Sequence, residues 1–146
     1  MSTMLASMLI FGALGALAGL GMINVMALVA RSKNRPNDTV AFASDRPVGE
    51  IVANWAQQEG FRLVRTDATT RVYKRGRNLL TAPAFVEHTA DGERHTLKAY
   101  VQIDGLLLKG DIALSGGGIL VKLPRAMAHS AVNRLLATLG QAALPK

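Results

Sequence analysis

The chain has 146 residues, a net charge of +7, 49% hydrophobic residues, only 5% aromatic residues and no cysteine. Disulfide and thiol chemistry are excluded outright, and the shortage of aromatics leaves little for stacking nucleobases. The basic excess fits three sources: nucleic acid, anionic lipid, or the bias that places cations on the cytoplasmic side of a membrane span.

The first element is an uncharged apolar run from Met4 to Ala30, followed at once by Arg31, Lys33 and Arg35. As a helix it would be roughly 40 Å long, enough to cross a hydrocarbon core of about 30 Å. Residues 1–31 are therefore read as a single transmembrane anchor. A buried core helix would be shorter and amphipathic, whereas this run is apolar on every side. A cleaved signal peptide is the alternative. It would use Ala27 or Ala30 before the cut and would leave a secreted or periplasmic domain, but the run is long for it and lacks a basic leader. The cations behind the run predict a plasma-membrane protein with its N-terminus outside and its large domain in the cytoplasm.

Gly12, Gly15, Ala16 and Gly19 fall on one side of that helix, and Gly15 to Gly19 is a GxxxG. Small residues let a second backbone approach closely, and close packing drives association in lipid. Asn24 lies about 100–150° around the helix and would seek a polar partner. Together these five residues predict a helix with neighbours, either other membrane subunits or a second copy.

Residues 32–46 read as a linker, with Pro36, short polar residues and mixed charge around a small apolar patch, Val40 to Ala43. Residues 47–146 read as one soluble domain, large enough for a modest core. Ser44 and Asp45 precede a helix with Val48, Ile51, Val52 and Trp55 on one face, stopped by Gly60. Trp55 is expected as a core anchor. Two strand pairs follow, 61–66 with 71–74 and 84–89 with 95–103, and a fifth strand is expected at 110–114. Met127, Ala128, Ala131, Val132, Leu135 and Leu139 then trace the stripe of a last helix, ended by Gly140. The fold class is α+β: an anchor helix, then helix, four or five antiparallel strands, and helix, with the two helices packed on one sheet face.

Arg62, Arg65, Arg71, Lys74, Arg75 and Arg77 crowd the first hairpin. Guanidinium forks match carboxylate and phosphate oxygens, so this ribbon is the candidate surface for an acidic partner or anionic lipid. The plain alternative is a sheet face or edge guarded by charge. Nucleic acid fits less well without an aromatic platform. The run Ser115-Gly116-Gly117-Gly118 matches no phosphate-loop spacing and reads as a flexible turn. His88 and His95 flank a turn with Glu87 or Glu93 close, and two imidazoles with a carboxylate could hold zinc, although such a site on an exposed hairpin is more often incidental. Between Gly105 and Gly110, a tri-leucine is either a buried strand or an exposed contact patch.

No serine or threonine has a recognisable histidine base, and no carboxylate pair has a hydrolytic setting. The expected role is a non-enzymatic, membrane-anchored accessory subunit with no metal or cofactor. It would pack through the glycine face and dock through the basic hairpin. The alternative is a tethered binder of an anionic lipid or other anion.

Overall fold

The computed structural model describes residues 2–31, 36–77, 82–105, 107–116 and 121–146. In chain order the elements are α1 (Ser2–Arg31), β1 (Asp38–Ala43), α2 (Val48–Gln58), β2 (Arg62–Thr66), β3 (Thr70–Arg75), β4 (Ala84–Asp91), β5 (Arg94–Asp104), β6 (Lys109–Ala113) and α3 (Lys122–Thr138). The six strands form one antiparallel sheet in the order β1-β5-β4-β3-β2, with β6 also paired to β5. This is the expected α+β arrangement behind a long apolar helix.

The extra strand is β1. It lies within the stretch read as linker, where Val40 to Ala43 supplied the only apolar patch. Antiparallel pairing to β5 in the register Val40↔Leu97 and Phe42↔His95 turns two side chains of that patch onto the core face. β1 pairs with the first half of β5 and β6 with the second half, so Asp38 stands opposite Ala99 while Ala113 stands opposite Tyr100. The two short strands thus run end to end along one long one. Asp38 closes the joint: its buried carboxylate accepts the backbone N–H of Ser115 at 2.7 Å and the Ser115 hydroxyl. A buried carboxylate is costly unless hydrogen-bonded, and here both oxygens are engaged.

One sheet face carries the main core. Tyr73, Ala84, Val86, Leu97, Ala99 and Val101 meet Val48, Val52, Trp55 and Ala56 of α2 and Ala128, Ala131, Val132, Leu135 and Leu136 of α3. Trp55 is the expected anchor: its ring lies 4.9 Å from Phe61, and its indole N–H donates to the Ala131 carbonyl at 2.9 Å. Gly60, at φ +75°, ends α2 and lets the Phe61 N–H reach back to the Ala56 carbonyl.

A third helical segment joins that face. Ile103, Ile112 and Gly110 share the side of Val101, and they pack against the last turns of α1, where Ala27 and Ala30 are fully buried. Val121, which enters α3 with a left-handed backbone (φ 48°), packs against both clusters. The apolar run therefore does not stop where the domain begins; its C-terminal end is part of the domain core.

Candidate functional site

α1 has two environments. From residue 4 to residue 22 every side chain is exposed, including Met4, Leu9, Phe11 and Met22. Gly12, Gly15 and Gly19 have nothing within 4 Å of a Cβ built on them, so the face they form is open. From Ile23 onward the burial follows a helical stripe of Ile23, Asn24, Met26, Ala27 and Ala30. At about 100° per residue, Ile23, Ala27 and Ala30 project to nearly the same side as the glycines below. The groove and the docked stripe are one continuous face.

What fills its upper part is β6. A Cβ on Gly110 would sit 2.3 Å from the Ala27 carbonyl oxygen and 2.6 Å from Ala30 Cβ. Only a glycine opposite alanines lets strand and helix approach so closely, which is the small-residue logic expected between two helices. Asn24 makes the polar half of the joint. Its Oδ1 accepts the backbone N–H groups of Leu107 (2.8 Å) and Leu108 (3.2 Å), and its amide donates to the Leu20 carbonyl at 2.9 Å. Of the five residues predicted to pack α1, Asn24 thus has its partner inside its own chain. The other four face outward.

The tri-leucine segment proves to be the tip of the β5–β6 hairpin. Gly105 N–H donates to the Leu108 carbonyl at 2.8 Å, Leu108 turns toward α1, and Leu107 is 83% exposed. Leu106 lies outside the described residues.

The six cations of the first hairpin do not make one surface. A bulge between Leu63 and Arg65 resets the register, so Arg62 stands opposite Lys74 and Arg65 opposite Val72. Arg62, Arg65 and Lys74 therefore share the sheet face away from the helices. There they join a stacked Phe85–Tyr100 pair (5.3 Å), with Lys74 over Phe85 and Lys98 over Tyr100. Glu87 accepts the Tyr100 hydroxyl at 2.8 Å; burial, then that acceptor, pushes the phenol well above its ordinary range. Arg65 is ion-paired with Asp67 at 3.1 Å.

Arg71 and Arg75 point to the helix side instead. Arg75 lies over Phe61 (4.7 Å) and donates to the Glu59 carbonyl at 3.1 Å. Glu59 also takes a two-pronged contact from Arg134, at 2.6 and 2.9 Å, which holds its carboxyl below the usual range. Arg71 lines a recess of about 250 Å³ with Gly49, Thr66, Thr69, His88 and His95. Arg77 is exposed beyond the end of β3.

His88 and His95 do come together, with ring nitrogens 3.1 Å apart, but both are buried. Burial, then His95 and Arg71, lowers the His88 pKa to about 4. The two rings share that one hydrogen bond, one nitrogen donating and the other accepting. Glu87, one carboxylate imagined beside them, lies on the opposite sheet face with Tyr100 and Lys98. Among the described residues, no group of three or more metal-ligating side chains converges. His129, the third histidine, holds the C-terminal tail through the Pro145 carbonyl at 2.9 Å. Residues 117 and 118 of the glycine turn lie outside the described residues, as do Lys33 and Arg35.

Two participants were not foreseen: Gly110, and the Asp38–Ser115 latch. Gly110 carried a faint signal as a glycine at the start of a strand pattern, where a backbone often comes close. No known family model matches the chain, and no curated protein matches it in sequence.

Proposed function

We propose that the chain is a membrane-anchored, non-enzymatic accessory subunit whose domain is held rigidly at the end of its span. The observation that carries this is the division of α1: an exposed apolar length below, and a C-terminal end built into the domain core above. The free length, residues 4–22, rises roughly 28 Å, close to the hydrocarbon thickness of about 30 Å. The same packing supports retention of the helix. Cleavage after Ala27 or Ala30 would strip the cover from Ile103, Ile112 and Gly110.

The open glycine face supports a partner helix in the membrane, lying directly beneath the domain. The sheet face with Arg62, Arg65, Lys74 and Lys98 around Phe85 and Tyr100 supports docking of an acidic protein segment. The cations behind α1 favour a cytoplasmic domain in the plasma membrane.

The test is recovery of the full chain from membranes in mild detergent. We expect defined partners to co-purify and Gly15→Leu with Gly19→Leu to release them while the domain stays folded. Recovery of the same lone chain with and without those changes would refute the subunit reading. Release of the chain from membranes by alkaline carbonate would refute the anchor.

A further inference from the structure

We infer that the tip of the β5–β6 hairpin is a second membrane contact, which seats Leu107 among the lipid acyl chains beside the span. This rests on the anchored reading of α1 and adds where the domain sits. Three observations lead to it.

The first is depth. Asn24 precedes Arg31 by seven residues, a rise of roughly 10 Å along the helix. With Arg31 among the headgroups, Asn24 and the hairpin tip bound to it lie at the edge of the hydrocarbon. The free length of residues 4–22 gives the same level from the other side.

The second is polar satisfaction. Backbone groups lowered into lipid must be paired within the protein. The Leu107 and Leu108 N–H groups both go to Asn24 Oδ1, the Gly105 N–H goes to the Leu108 carbonyl, and Asn24 returns its amide to the Leu20 carbonyl. A water-exposed tip would have no need of a side chain from an apolar helix to pair its backbone. An asparagine inside a span usually has a specific partner. Here it supports a loop entering the same layer.

The third is continuity. Leu107 is 83% exposed and adjoins the exposed apolar surface of α1. The first residue beyond the tip, Lys109, is exposed and 3.7 Å from Asp104. The sequence thus changes from leucine to lysine within two residues, an apolar tip with a charged collar. The occupant of this surface is therefore the bilayer itself.

The chain has no cysteine, so single labels can be placed cleanly. Leu107→Cys and Glu93→Cys, each carrying an environment-sensitive fluorophore, would be reconstituted as full chains in phosphatidylcholine vesicles containing shallow spin-labelled lipid. Glu93 lies at the other end of β5, roughly 35 Å away along the strand. We expect the Leu107 label to be blue-shifted and to lose most of its intensity to the quencher, while the Glu93 label stays water-like. Both labels water-like in carbonate-resistant vesicles would overturn this inference and leave the anchor standing. Carbonate-extractable protein would instead overturn the anchor. Since Leu107 is exposed, its replacement should leave thermal unfolding unchanged. A lowered unfolding midpoint with a water-like label would show that the tip is held only for stability and would equally overturn the inference.

Discussion

The two parts of α1 are both largely apolar with small residues on one side, yet their circumstances are opposite. Gly12, Gly15, Ala16 and Gly19 leave an open groove, whereas Ala27 and Ala30, on nearly the same side, are sealed by Gly110 and Ile112. Where the small residues are covered, they let a backbone come close. In the upper half that backbone is a strand of the same chain. The lesson is that a small-residue face does not specify a helical partner, only a close one.

The largest effect is expected from putting a side chain at each part of α1. Gly110→Val must displace the Ala27 carbonyl, so it should undock α1 and destabilise the domain by about 3 kcal/mol or more. Limited proteolysis just beyond Arg31, together with thermal unfolding in detergent, would show it. Leucine at Gly15 and Gly19 should leave that unfolding unmoved. Equal effects from the two halves would mean that the lower groove is also filled from within.

Asn24→Leu tests the polar half of the joint. It leaves the Leu107 and Leu108 N–H groups without their acceptor. A loss of about 1–3 kcal/mol is expected, with faster amide exchange confined to the hairpin tip. Unchanged exchange there would show that the tip finds another partner.

The last effect lies away from α1 and contrasts the buried histidine pair with its surroundings. Burial keeps His88 neutral down to a pKa of about 4, while an unfolded imidazole titrates near 6.5. The unfolded chain therefore takes up a proton that the folded chain refuses, so this contribution is intact above pH 6.5 and is lost as pH falls toward 4. His95 and Arg71 face the ring, and Asp67 lines the same recess. His88→Gln keeps a donor toward His95 and should flatten the unfolding profile between pH 6.5 and 4, by on the order of 2 kcal/mol. An unchanged slope would assign the acid sensitivity to carboxylates instead.

The helices and hairpins were legible because each has a local cause: helical spacing around Trp55, Gly60 and Gly140 as stops, and alternation along β5. β1 was hidden because six residues, flanked by Pro36 and Pro47, carry too short an alternation to declare a strand. The basic hairpin was legible as a charge cluster but not as a surface. A one-residue bulge decides that Arg62 and Arg65 share a face, and the β3 register sends Arg71 and Arg75 to the other.

A long apolar helix, its basic flank, a small-residue face and an α+β domain could all be read along the chain, since composition and period are local properties. That the helix ends inside the domain, that Asn24 serves the hairpin tip and that Gly110 approaches α1 so closely emerged with the folded arrangement. Those facts depend on residues about 80 positions apart meeting at van der Waals distance. No periodicity along the chain encodes such a meeting; steric fit and the pairing of backbone polar groups select it once the elements assemble.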